Sequence, residues 1–111
     1  MKNGIYAVQF GVGATMSKGS GVIVYRDGNV RGGDAGYAYI GNVSGEGGSL
    51  SGELEIVRHT PGYPSVFGDV DSFQLSVTGN EFPNDTAGFD AGATAFPGHR
   101  LKISMQLIRA D

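Results

Sequence analysis

The sequence predicts an all-β fold, a single up-and-down antiparallel barrel of about eight strands spanning residues 1–111. Three observations carry that reading. Tyr6-Ala7-Val8-Gln9-Phe10, Ser72-Phe73-Gln74-Leu75-Ser76-Val77 and Leu101-Lys102-Ile103-Ser104-Met105-Gln106-Leu107 alternate apolar with small or polar residues, and that period sends successive side chains to opposite faces of a sheet. Twenty glycines punctuate such runs while only four prolines interrupt them. The runs follow one another through short turn signals, and closing such a series on itself removes its exposed edges.

The first strand covers Gly4 to Val12 and places Tyr6, Val8, Phe10 and Val12 on one face. Gly13 to Gly19 reads as a loop of small residues, and Ser20 to Tyr25 as the second strand. Asp27-Gly28 then suits a primed hairpin turn, where positive φ is required and glycine adopts it freely. A short third strand at Asn29 to Arg31 pairs with the second and is broken by Gly32-Gly33-Asp34. Tyr37 to Val43 is the fourth strand, Ser44 to Ser49 a glycine-rich turn, and Leu50 to Arg58 the fifth strand. Leu50, Leu54 and Ile56 share a face there, with Gly52 between them, and glycine inside a strand marks a bend or a close backbone approach.

Thr60 to Asp71 is the longest break, with Pro61-Gly62-Tyr63-Pro64 at its start and room for one helical turn at Ser65 to Phe67. The sixth strand carries Phe73, Leu75 and Val77. The seventh, Thr86 to Ala95, alternates Ala87, Phe89, Ala91, Ala93 and Ala95 against Gly88, Asp90, Gly92 and Thr94. The last runs from Arg100 to Ile108. A helix competes there, because Leu101, Ser104, Met105 and Ile108 would share a helical face; the period of two captures Leu101, Ile103, Met105 and Leu107, and we read a strand.

A barrel of about eight strands has an interior that side chains just fill or that holds one small ligand. The candidate lining is Tyr6, Val8 and Phe10 from the first strand, Phe73 and Leu75 from the sixth, Phe89, Ala91 and Ala93 from the seventh, and Ile103 and Met105 from the last. An inward alanine row at Ala87, Ala91 and Ala93 makes a thin wall that leaves room for a pocket. Alternatively Tyr6, Phe10, Phe73 and Phe89 reach across and fill it. Both readings stay open at this point.

Two segments, Val22-Ile23-Val24-Tyr25 and Tyr37-Ala38-Tyr39-Ile40, are apolar on both faces. In a lone barrel half of those side chains face water as one patch, and such patches mark interaction sites. Val22, Val24, Tyr37, Tyr39 and Ile40 are therefore the candidate homodimer or partner surface.

Composition excludes several classes. Forty per cent apolar residues support a packed core and argue against disorder. The net charge of −3 is small and scattered, without the basic patch that nucleic-acid binding requires. There is no cysteine, which points to a reducing compartment. Met1 to Ile5 enters a strand pattern without the apolar block of an export signal, and no run approaches the ~20 apolar residues of a membrane span. Asn42-Val43-Ser44 and Asn84-Asp85-Thr86 are then coincidental sequons. The expectation is a soluble cytoplasmic protein.

Reactive chemistry is thinly represented. His59 and His99 are the two imidazoles, far apart and without cysteine partners, and a zinc site needs three or four ligands. Asp69 and Asp71 stand two apart, but carboxylates flanking a strand are usually solvated, whereas acid–base pairs need environments that separate their pKa values. Gly11-Val12-Gly13, Gly45-Glu46-Gly47-Gly48 and Lys18-Gly19-Ser20 lack the glycine set and following helix of a phosphate loop. With no tryptophan the chain lacks the indole walls of biotin-binding barrels, and Arg100 and Arg109 have no neighbouring tyrosine with which to clamp a fatty-acid carboxylate. No catalytic residue, metal or cofactor is expected.

Met1-Lys2-Asn3-Gly4-Ile5-Tyr6-Ala7-Val8-Gln9-Phe10, Gly19-Ser20-Gly21-Val22-Ile23-Val24 and Asp27-Gly28-Asn29-Val30-Arg31-Gly32-Gly33-Asp34, with Tyr39 and Gly41 shortly after, resemble the GrlR family of negative regulators of type III secretion genes. The resemblance covers roughly the first 45 residues, with Pro64-Ser65-Val66 a further fragment. It implies a lipocalin-like calyx that dimerises in the cytoplasm and restrains a transcriptional activator by protein contact, without touching DNA. It also implies a cavity open to a lipid or another small apolar molecule. The family's acidic run after the strand holding Tyr39 is reduced here to Glu46 within Ser44 to Ser49, and one exposed charge steers a basic partner weakly. The expected function is that of a non-enzymatic binding protein, either a regulator that sequesters an activator or a small-ligand calyx.

Overall fold

Alternating segments become eight strands in the structure, a computed structural model that describes residues 1–11, 19–63, 70–98 and 100–111. They are β1 (Gly4–Gly11), β2 (Gly19–Arg26), β3 (Asn29–Gly33), β4 (Tyr37–Glu46), β5 (Ser49–Arg58), β6 (Ser72–Phe82), β7 (Thr86–Ala93) and β8 (Arg100–Ala110). Each pairs antiparallel with its neighbour in sequence, and β1 pairs with β8 to close the barrel. The last segment is a strand, with Leu101, Ile103 and Met105 buried between exposed Lys102 and Gln106. Val12, Gly13 to Lys18, Ser65 to Phe67, Asp69 and His99 lie outside the described residues.

Turn chemistry sets the register at one end. Asp27 and Gly28 have φ of 51° and 88°, the positive pair that a primed turn demands. Gly47-Gly48 (63° and 88°) and Asn84-Asp85 (67° and 58°) repeat the solution between β4 and β5 and between β6 and β7. Asn3 ties the first turn down: its Nδ2 donates to Asp27 Oδ1 at 3.1 Å, and its Oδ1 accepts from Asp27 N at 3.0 Å.

Three boundaries differ from the sequence reading, one of them in β7, which ends at Ala93 and not Ala95 because the Phe96 N–H donates to the Ala93 carbonyl and turns the chain there. Gly32 and Gly33 do not break β3 but pair with Ile23 and Val22 on one side and Tyr39 and Ala38 on the other. Ladder hydrogen bonds between two neighbouring strands hold these glycines extended despite their low strand preference. The Ser44 to Ser49 turn shrinks to Gly47-Gly48, because β4 and β5 stay paired out to Glu46 and Ser49. Beside these, the β1–β8 ladder shifts register between Ile5 and Tyr6, so Ile108 is an extra residue on β8.

Inside, the lumen is filled at the tight-turn end. Tyr6 and Tyr25 meet edge to face with ring centroids 6.3 Å apart, and each buried hydroxyl finds a backbone carbonyl, Lys2 at 2.6 Å and Val43 at 3.0 Å. Leu50, Val77, Ala87 and Phe89 belong to the same buried core and do not border the open half of the lumen. Burial raises the ionisation of both phenols, helped by nearby carboxylates including Glu81.

Candidate functional site

The other half of the lumen is open. A cavity of about 470 Å³ lies there, within the ~300–1,000 Å³ range of small-molecule sites. Val8, Ile23, Val30, Leu54, Ile56, Phe73, Leu75, Leu101, Ile103 and Met105 form its walls, and Phe10, Ser20, Ala35, Gly36 and Tyr63 surround its mouth. Of the sequence-predicted lining, Val8, Phe10, Phe73, Leu75, Ile103 and Met105 border this space.

Tyr6, Phe89, Ala91 and Ala93 are buried but do not border it, and neither does Ala87. The alanine wall leaves no space because larger side chains stand beside it: Ala91 pairs with Val77 and Leu101, and Ala93 with Leu75. Phe96, whose backbone N–H donates to the Ala93 carbonyl at 3.1 Å, also packs edge-on against Phe73 at 6.4 Å.

Tyr37 and Tyr39 also differ from expectation. The sequence places both on the outer surface, but they are 3% and 6% exposed and line the cavity. Adjacent strand residues cannot share a face, so Tyr39 and Ile40 had to separate, and Ile40 is the one outside. The deciding signal lies further along β4, where Asn42, Ser44 and Glu46 continue the outward set and Gly41 and Val43 the inward one.

The turn before β4 supplies the cavity's polar edge. Asp34 Oδ1 accepts the backbone N–H of Gly36 at 2.9 Å and of Tyr37 at 2.8 Å, an Asx arrangement that shapes the turn. Its Oδ2 accepts the Tyr39 hydroxyl. Burial first, then the Asp34 hydrogen bond and charge, drives the Tyr39 ionisation far above the ordinary phenol range. Phe10 stands edge-on to Tyr39 at 6.1 Å.

Behind that turn, Gly36 O accepts the backbone N–H of His59 at 2.8 Å and of Thr60 at 3.3 Å. The His59 ring bonds the Asp34 carbonyl through Nε2 at 3.0 Å and the Thr60 hydroxyl through Nδ1 at 2.6 Å. Gly36 is obligatory because a Cβ there would come within 2.5 Å of Tyr63 Cβ. Tyr37 is occupied elsewhere: its hydroxyl donates to Val70 O at 2.5 Å and accepts from Arg58 Nη2 at 2.9 Å, while the guanidinium lies 5.5 Å from its ring centre. Asp34, Gly36 and Tyr63 are not among the candidate site residues of the sequence, where the Gly-Gly-Asp stretch reads as a strand break and as part of the family resemblance.

The outer wall is divided. Ile5, Val24, Arg31 and Ile40 form one cross-strand row, and Ala7, Val22, Gly33, Ala38 and Val57 form the next. Val22, Val24 and Ile40 are 49%, 39% and 38% exposed. Around the barrel the outward residues are mostly polar, with Gln74, Ser76, Thr78, Asp90, Lys102 and Gln106 exposed beside the apolar Phe82 and Ile108. Glu46 is exposed at the tip of the β4–β5 hairpin, and Glu53 and Glu55 face outward on β5. Asp71, exposed, pairs with Arg58 at 3.1 Å.

Among the described residues, no three His, Cys, Asp or Glu side chains are grouped to hold a metal ion, and no helix is long and apolar enough to cross a membrane. No curated protein matches the chain in sequence. The family described as the T3SS negative regulator GrlR, for the type III secretion system, matches residues 1–108, well beyond the first strands that carry the resemblance by eye. A match over nearly the whole closed barrel settles the relationship: this chain belongs to the GrlR family of type III secretion negative regulators.

Proposed function

We propose that this protein regulates by protein contact and not by catalysis, acting in the cytoplasm as a homodimer that sequesters a transcriptional activator without touching DNA. The observation that carries the reading is the apolar patch of Ile5, Val22, Val24 and Ile40 on β1, β2 and β4, set around the exposed Arg31, against mostly polar outward residues on β6 to β8, where Phe82 and Ile108 are the exposed apolar side chains. A pair of rows built from Ile5, Val22, Val24 and Ile40, with Arg31 between Val24 and Ile40 and the small residues Ala7, Gly33 and Ala38 alongside, suits a self-complementary contact between copies. The activator then meets the β4–β5 hairpin, where Glu46, Glu53 and Glu55 offer carboxylates to a basic surface.

Sedimentation equilibrium tests the dimer: wild-type chain at micromolar concentration is expected at twice the monomer mass, and Val22→Glu at the monomer mass with an unchanged melting temperature. A wild-type monomer overturns it. A type III secretion reporter tests the activator contact, with repression expected from wild type and lost when Glu46, Glu53 and Glu55 are all changed to Lys.

The cavity favours a second reading, uptake of a small apolar ligand. Its lining is mainly apolar, with the polar groups of Asp34, Tyr37 and Tyr39 at one edge, as in barrels that carry a guest. Native mass spectrometry of the chain taken directly from cells would show added mass.

A further inference from the structure

The polar groups at the cavity edge are unevenly matched. Asp34 and Tyr39 both line it, and the Tyr39 proton is already given to Asp34 Oδ2. An ionised carboxylate only accepts, and a phenol whose proton is committed has only lone pairs left to offer. The Tyr37 hydroxyl is spent between Val70 O and Arg58, and the Gly36 N–H on Asp34. Ser20 and Tyr63 at the mouth carry neutral hydroxyls. No Lys, Arg or His is among the described residues that line the cavity. The place where a guest's head would rest is therefore rich in acceptors and negatively charged.

We propose that the cavity selects an apolar molecule whose head group donates hydrogen bonds, a protonated amine above all, and rejects carboxylates. This rests on the ligand-uptake reading of the same space. An ammonium reaching the free lone pairs of Asp34 Oδ2 and Tyr39 adds ion-pair attraction to its charge-assisted hydrogen bonds, which a neutral hydroxyl lacks. A carboxylate there would face Asp34 with only the neutral Ser20 and Tyr63 hydroxyls to donate to it and no cation among the described lining residues.

The test uses the full chain loaded with the neutral fluorophore N-phenylnaphthylamine, displaced by dodecylamine, dodecanol or dodecanoate below their micelle concentrations. The amine is expected to bind tightest, with dodecanoate about tenfold or more weaker, the ratio that one charge-assisted hydrogen bond supplies. Asp34→Asn keeps an oxygen for the Gly36 and Tyr37 amides, and should weaken the amine far more than dodecanol, bringing the two close together. Raising salt on the wild type should shrink the amine preference as well, which keeps the test valid should that variant not fold. Equal binding of all three, or an amine preference indifferent to Asp34→Asn and to salt, overturns the head-group selection and leaves ligand uptake standing. Failure of the fluorophore and all three amphiphiles to bind overturns both.

Discussion

The hydroxyl of Tyr39 on β4 donates to the carboxylate of Asp34, five residues earlier, across the rim of the open lumen. One residue thereby shapes the β3–β4 turn through two backbone amides and anchors a buried phenol through its other oxygen. Tyr39→Phe should cost about 1 kcal/mol, the usual net value of one hydrogen bond. Urea unfolding at neutral pH measures it.

The same pair makes stability pH-dependent at the alkaline end. Burial and Asp34 raise the Tyr39 ionisation, while tyrosines of the unfolded chain ionise near pH 10, at about the reference value. The folded state keeps its proton longer, so the contribution is complete below about pH 10 and is lost as pH rises further. Tyr6 and Tyr25 are shifted the same way. Wild type should therefore lose stability above pH 10 more steeply than Tyr39→Phe, and parallel slopes would refute the Tyr39 share.

Packing around the lumen predicts opposite outcomes for two enlargements. Ala91 is 1% exposed and walled by Val77 and Leu101, so Ala91→Phe should destabilise by about 1–3 kcal/mol, as overpacking does. Leu54 borders the cavity, so Leu54→Phe has space to enter and should leave the melting temperature unchanged or raise it.

Gly28 has open space, since a Cβ there would meet only Val43 O at 3.6 Å, but its φ is 88°. Gly28→Val should therefore cost about 1–3 kcal/mol through the backbone alone. Gly28→Asn should cost less, because asparagine visits positive φ readily. Equal losses for the two would point to packing instead.

Arg58 and Asp71 share an ion pair but not its importance. The Arg58 side chain is 17% exposed and that of Asp71 92%. Arg58→Ala removes the hydrogen bond to Tyr37 and the cation over its ring, and should cost about 1–3 kcal/mol. Asp71→Ala removes one solvated partner and should leave the thermal midpoint nearly unmoved.

Much of this barrel was legible in its residues. Period two in β1, β6 and β8 and the Asp27-Gly28 turn are local, because strand pleat and turn dihedrals depend on near neighbours. So strand order and the inward set Tyr6, Val8, Phe73, Leu75, Ile103 and Met105 could be read directly. The β3 break and the Ser44 to Ser49 turn misled because ladder bonds from both neighbours extend glycine-rich backbone that has no preference of its own.

Alternation by itself set which residues face together, and left open which side each set takes where both are apolar. Closure decided that for Tyr37 and Tyr39, since β4 had to match the inward phase of β3 and β5 simultaneously. Only the folded chain could also choose which half of the lumen is filled. Void space is what remains after all the inward side chains have packed, and the Tyr6–Tyr25 plug and Phe96 beside Phe73 are contacts that form only once the strands have paired.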